Sequence, residues 1–191
     1  MSPPRGASGK TPCRSTMPAA TWSSRIGVTT DLLRRYTRSP RGLRLRDDTP
    51  CGHWQTHTVV AALRVDGPHA PAVFEGPLDN PTFLASVEQV LVPTLRPGEV
   101  VVLDHLAMHQ PPEGQAASER VGACGRFLPP YSPDFHPIER AFAKLTAFLR
   151  AARPRSFDQV VELVAIALQL FTPRECLNFV PPCGYRVTTT L

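Results

Sequence analysis

Pro129, Pro130, Pro133 and Pro137 punctuate the stretch FLPPYSPDFHPIERAF (residues 127–142). Each proline fixes its own φ and lacks an N–H, so neither a helix interior nor a central strand can run through this stretch. A proline helps a helix only in its first turn. Pro137 opens a run in which Ile138, Phe142, Leu145 and Leu149 recur at helical spacing. The sequence therefore predicts a short strand over GRFLPP (125–130), a rigid connection, and a helix over PIERAFAKLTAFLRAA (137–152). Glu139 falls in that helix's first turn, where the helix dipole favours a carboxylate.

Upstream, TVVAALRV (58–65) and APAVFEG (70–76) read as a hairpin around the turn signal Asp66-Gly67. DNPTFLASVEQVLVPTL (79–95) predicts a helix capped by Asn80, with Pro81 at its first position and Phe83, Leu84, Val87, Val90 and Leu91 on one face. Pro93 ends or kinks it. EVVVLDHL (99–106) contains four consecutive apolar residues, Val100 to Leu103, as suits a strand covered on both faces, and Asp104 follows directly. SFDQVVELVAIALQLF (156–171) opens on the capping box Ser156/Gln159, and TPREC (172–176) repeats it with Thr172 and Glu175. Strands alternating with helices in this order predict an α/β domain with a mixed sheet. Residues 1–25, rich in Ser, Pro, Gly, Ala and Thr, read as disordered.

Charge is divided unevenly. Residues 1–50 hold 10 Lys/Arg against 3 Asp/Glu, and the remainder holds 11 against 13. Arg34, Arg35, Arg38, Arg41, Arg44 and Arg46 make RRYTRSPRGLRLR (34–46) either a solvated basic segment or a strip that contacts phosphates. On the predicted helix, Arg140, Lys144 and Arg150 suit a solvated or DNA-facing side opposite the apolar stripe. The 5 cysteines include no C-x-x-C pair, which argues against a disulfide framework and against a zinc ribbon. No apolar run approaches the ~18 residues of a membrane helix, and the N-terminus lacks a secretory signal's apolar stretch. A soluble, cytoplasmic protein is the expectation.

Two carboxylates carry the chemistry. Asp104 ends a buried strand, at the rim where α/β proteins place ligands, and Glu139 begins a helix. Converging on one crevice, they would repel each other unless a cation held both, and hard divalent ions take oxygen ligands of this kind. A helix-start Glu alone is more simply read as complementing the dipole. The pairs His53/His57 and His105/His109 have four-residue spacing but enter or follow strands, and so read as structural or loop histidines over zinc ligands.

VVVLDHLAMHQ (100–110) followed by FLPPYSPDFHPIERAFAKL (127–145) closely resembles the DDE transposases of bacterial insertion sequences in the mariner-like superfamily. Those enzymes carry a strand ending in Leu-Asp-Asn and then Pro-Pro-Tyr-Ser-Pro-Asp-x-Asn-Pro-Ile-Glu. The likeness extends through RSPRGLRLR, GHWQTHTVVAALRVDG, FLASVEQVLVPTLRPG and FTPRECLNFVPPCGY. It implies a ribonuclease-H-like mixed sheet flanked by helices, binding two Mg²⁺ or Mn²⁺ ions and cutting and joining DNA at transposon ends. By that resemblance Asp104 and Glu139 are the second and third acids and the metal ligands, with His105, His109, Asp134 and His136 beside the site. Arg38, Arg41, Arg44, Arg46, Arg140 and Lys144 are the candidate DNA contacts. A homodimer, or a dimer with an intact transposase, is the implied assembly, acting in the bacterial cytoplasm or on the nucleoid.

The chain departs from that pattern at its start. The family's first acid lies in an Asp-Glu-Thr motif on the first strand, whereas TWSSRIGVTT (21–30) has Ser24 near that position. Asp31 is the nearest acid and is displaced from it. The expectation is a first strand degenerate or missing, a degenerate segment over 1–30, an incomplete catalytic domain over 31–187 and a tail over 188–191. His105 and His136 replace the family's usual Asn, and His is a poorer helix cap by about 0.5–1 kcal/mol. Three function classes follow: a DNA-cutting and joining enzyme with its acids at Asp104, Glu139 and an unidentified third, a non-catalytic nucleic-acid-binding remnant, and an unstable translation product with no role.

Overall fold

The computed structural model describes residues 20–32, 38–44, 54–103, 111–129 and 132–186. Five strands form one mixed sheet: β1 (Ala20–Thr29), β2 (Thr56–Arg64), β3 (Gly67–Glu75), β4 (Val100–Leu103) and β5 (Cys124–Phe127), in the order β3-β2-β1-β4-β5. β2 is antiparallel to both β1 and β3, while β4 runs parallel to β1 and to β5. β2 and β3 form the expected hairpin, with Arg64 paired to Gly67.

The expected gap at the first strand is not there. β1 occupies the middle of the sheet, paired through Trp22–Thr29 with β2 and through Ala20–Ser23 with β4. Its alternation explains why so polar a segment holds a central place. Trp22 and Val28 are 2% and 1% exposed and, with Ile26, join one apolar layer. The alternate positions Ser23 and Arg25 face the opposite layer, where Arg25 lies over the Phe83 ring and the Ser23 hydroxyl donates to the Ala61 carbonyl at 3.3 Å. The disorder expected over 1–25 is thus overturned from residue 20 onward; residues 1–19 lie outside the described residues.

Both faces of the sheet are covered. Val59, Ala61, Leu63, Val100 and Val102 pack against α3 (Pro137–Ala152), α4 (Phe157–Gln169) and α5 (Pro173–Phe179). Val60, Ala62, Val101 and Leu103 pack against α1 (Asn80–Ser86) and the segment after it. That segment corrects the single helix expected over 79–95: α1 widens into a π turn over Val87–Leu91 and tightens into a 3-10 turn over Val92–Thr94. The Val92 N–H bonds to the Val87 carbonyl, five residues back. Pro93 has no N–H to continue the ladder, and its ring crowds the preceding turn. The cap of α1 is Asp79 instead of Asn80, its carboxylate accepting from the Thr82 N–H at 2.9 Å. α2 (Pro111–Arg120) was not foreseen, because PPEGQAASER carries no apolar stripe.

α3 matches its expected bounds. Ile138, Phe142, Leu145 and Leu149 are 0–2% exposed on the sheet, and Arg153 closes the helix in the left-handed region, its N–H on the Leu149 carbonyl at 2.8 Å. α4 and α5 have their Ser156 and Thr172 caps. Each box closes on one side only: the Gln159 side chain takes the Arg155 N–H at 2.7 Å, and Glu175 pairs with Lys144. Tyr185 packs on Trp22 with ring centroids 5.7 Å apart, tying the C-terminal segment to β1.

The end of the sheet where β4 begins is locked by a buried ion pair. Arg64 Nε and Nη2 donate to Glu99 Oε1 and Oε2 at 2.6 and 2.9 Å, and the Arg96 N–H and Thr21 hydroxyl also donate to this carboxylate. Glu99 is 1% exposed. Burial pushes its carboxyl up, but the hydrogen bonds from Arg64, Thr21 and Arg96 outweigh burial and hold it below the usual carboxylate range. Beside it on β3, His69 is pushed down to about 4 by burial and by Arg64.

Both groups bind protons more weakly folded than unfolded, so both make stability fall with pH. Urea midpoints should decline as pH drops from about 6.5, the ordinary His value, toward about 4, and His69→Gln should flatten that part of the curve. The contribution of Glu99 is complete above its unfolded pKa of about 4.3 and disappears as pH falls through its lower folded pKa. Glu99→Gln should remove that acid limb and cost about 3–5 kcal/mol at neutral pH. A Glu99→Gln profile that still parallels the parent below that pH would refute the assignment.

Candidate metal and nucleic-acid site

The rigid connection ends on a short 3-10 turn, Pro133–Phe135, that delivers the chain into α3. Within it the Phe135 N–H reaches the Ser132 carbonyl at 3.2 Å and the His136 N–H the Pro133 carbonyl at 2.9 Å. Asp134 and Phe135 are exposed, whereas His136 turns inward and is 1% exposed. Its Nε2 lies 3.4 Å from the Val102 carbonyl of β4. A carbonyl only accepts, so Nε2 carries the proton in this contact. The helix start is thereby fastened to the strand that ends, at Leu103, one residue before Asp104 in the sequence.

As a cap His136 is poor, since its side chain accepts no N–H from the helix. Its other ring nitrogen, Nδ1, is buried, has no hydrogen-bond partner among the described residues, and lies 3.7 Å from Glu139 Oε1. The Glu139 side chain is 39% exposed. It borders two hollows: one of about 270 Å³ shared with Asp134, His136 and Arg140, and one of about 640 Å³ that also meets Thr29, Asp31 and Arg150.

The opposite wall of the larger hollow is the far half of β1. Ser23 pairs with Leu103, the last residue of β4, and β1 runs on beyond that point to Thr29. Ser24 is 3% exposed and pairs with Ala61 on the α3-facing side of the sheet. No acid stands on β1. Asp31 does border the same hollow as Glu139, accepting the Thr29 hydroxyl. The end of β1 is held by Arg155, whose Nη1 donates to the Thr30 carbonyl at 2.9 Å, a contact that no sequence pattern announced.

Other expected site residues fall in three groups. Asp104, His105, His109 and Arg46, with His53, lie outside the described residues. Arg38, Arg41, Arg44 and Arg140 are exposed. Lys144 is engaged within the fold: Nζ donates to Glu175 Oε2 at 2.6 Å and to the Leu170 carbonyl at 2.9 Å, and lies 4.4 Å from the centroid of the Phe171 ring. His57 is buried against Phe157, as a core histidine. Among the described residues no three His, Cys, Asp or Glu side chains cluster as metal ligands. A half-exposed carboxylate beside an unpartnered imidazole nitrogen nonetheless suits part of a divalent-cation site.

Comparison with known proteins places the fold. The DDE superfamily endonuclease family matches residues 22–161. A search of the curated proteins found no match. Among solved structures, the Mos1 transposase paired-end complex with left transposon end superposes with a TM-score of 0.71 at 10% identity, covering 89% of this chain and 53% of that one. The Mos1 mariner paired end complex with Mn gives 0.71 at 11% identity, with 89% and 54% covered. The catalytic domain of Mos1 mariner transposase gives 0.61 at 10% identity, with 89% and 79% covered. The chain thus spans about half the length of the transposases in the paired-end complexes. At these identities the superpositions establish the ribonuclease-H-like fold, and the family match over most of the described sheet makes the chain a member of the DDE superfamily endonucleases.

Proposed function

We propose that this chain is the catalytic domain of a transposase that cuts and joins DNA by metal-dependent phosphodiester chemistry, in a copy impaired at its first acid. The observation that carries the reading is the fastening of Glu139's helix to β4 through His136 and Val102, beside the point where the sequence reaches Asp104. Asp104 and Glu139 are the residues that would hold Mg²⁺ or Mn²⁺. Bound there, such ions orient the attacking oxygen and stabilise the leaving one.

The protein's own part is to fix Glu139 in a helix start that the prolines cannot unwind, at the mouth of two hollows. The impairment follows from β1. Ser24 faces the α3 side where a first acid would serve, and a serine hydroxyl is a far weaker cation ligand than a carboxylate. Exposed Arg38, Arg41, Arg44 and Arg140 supply the phosphate contacts, with transposon ends and target DNA as the substrates and a second transposase copy as the partner. The bare β1 also supports a second reading, in which the chain binds DNA without cutting it.

Nicking of supercoiled DNA carrying cognate ends tests both. The parent chain should be nearly inert with Mg²⁺ or Mn²⁺, and Ser24→Asp should raise nicking by about tenfold or more. In that background Asp104→Asn or Glu139→Gln should lower the rate by more than about 100-fold while DNA affinity stays within about twofold. Efficient nicking by the parent would remove the claim of impairment. An inert Ser24→Asp that still binds DNA would favour the binding-only reading.

DNA contacts separate cleanly from fold contacts. Arg140→Ala should weaken DNA binding and make it less sensitive to salt, with an unchanged urea midpoint. Lys144→Ala should lower stability by about 1 kcal/mol and leave DNA affinity intact. Loss of DNA affinity in the Lys144 variant at full stability would reverse this assignment.

A further inference from the structure

We propose that His136 is itself a metal ligand, its Nδ1 joining Glu139 Oε1 on one cation and shifting the site's preference from Mg²⁺ toward borderline ions such as Mn²⁺; this rests on the metal-dependent reading above. Nε2 faces the Val102 carbonyl, so in the neutral ring the proton sits on Nε2 and the Nδ1 lone pair is free. That lone pair faces a carboxylate oxygen 3.7 Å away, and the nitrogen is buried without a hydrogen-bond partner among the described residues. Two acceptors opposed in this way repel each other unless something positive lies between them.

One cation can reach both atoms. Bonds of about 2.1 Å span this separation at an angle of roughly 120°, and a closure of roughly 0.7 Å brings the pair to adjacent octahedral positions, with Glu139 open on its other side to water and phosphate oxygens. The Nε2 contact to a backbone carbonyl is also the usual way a ligating histidine is oriented and its other nitrogen made more basic. Asp134 and Arg140 border the same hollow: the first adds negative potential and the second can meet a phosphate oxygen on the ion. An imidazole nitrogen among the ligands selects against Mg²⁺, which holds to oxygen ligands. The competing arrangement is a proton on Nδ1, giving an imidazolium–carboxylate pair.

Pulsed electron paramagnetic resonance on the full chain loaded with Mn²⁺ alone distinguishes them. Bound Mn²⁺ should show nitrogen coupling that changes when the protein is labelled with ¹⁵N-histidine. His136→Asn should abolish that coupling and lower Mn²⁺ affinity about tenfold, while altering Mg²⁺ affinity less than about twofold. Binding of Mn²⁺ that Glu139→Gln removes, but with no histidine coupling in the parent, would overturn the role of His136 and leave the metal reading standing. Coupling that survives His136→Asn would assign it to another histidine and also overturn the proposal. If no Mn²⁺ binds at all, the metal-dependent function falls with it. Should His136→Asn fail to fold, coupling that persists in a His105→Gln/His109→Gln double variant would uphold the assignment to His136, and coupling lost there would overturn it.

Discussion

The contact on which this molecule turns is that of α3 across the sheet. Ile138, Phe142, Leu145 and Leu149 cover Trp22, Val28, Val59, Ala61 and Leu63, and the same helix presents Glu139 from its first turn. Core and site are therefore one element. Burial of large apolar side chains at about 1.5–3 kcal/mol each fixes the helix axis, and Pro137 with the turn before it fixes where that axis begins. A carboxylate placed so has little freedom to follow a misplaced ligand. That suits chemistry which depends on positioning within fractions of an ångström.

The two ends of the sheet treat their charges in opposite ways. Where β4 begins, Glu99 is enclosed and fully met by Arg64, Thr21 and the Arg96 N–H. Where β4 ends, Glu139 is half exposed and lies 3.7 Å from an imidazole nitrogen left without a hydrogen bond among the described residues. A closed network of this kind holds a fold in one register, and an open one waits for a ligand. The contrast sets the two ends of β4 apart, one closed by its own partners and one open to solvent.

Much of the fold was legible because its signals are local. The proline punctuation gave α3 its bounds, the β-branched run gave β2, and the capping residues gave α4 and α5. The failures share a cause, which is that tertiary context replaced local signal. β1 looked like low-complexity sequence, because Ser23, Ser24 and Thr21 are polar in composition yet buried under partners far along the chain. The π turn after α1 answers to Pro93 acting backward, and α2 has no apolar stripe to read. The place of Glu139 in the first turn of α3 was legible from Pro137. The bond from His136 to Val102 spans 34 positions and leaves no trace in spacing, and Lys144 looked like a surface cation until Glu175 and Phe171 were brought to it.

The serine at position 24 shows how little the sheet asks of that position's side chain. A carboxylate there, at a place only 3% exposed, would be a buried charge needing a cation or donors to offset its desolvation. A serine carries no charge, and β1 keeps its ladder to β2 and β4, its Trp22 and Val28 anchors and its Arg155 brace. The strand's structural role is discharged by its backbone and its apolar alternate positions, neither of which depends on the acid. A serine at this position therefore spares the sheet a buried charge and leaves its pairing intact. Stability alone would not select against the replacement, whereas any demand for metal binding would.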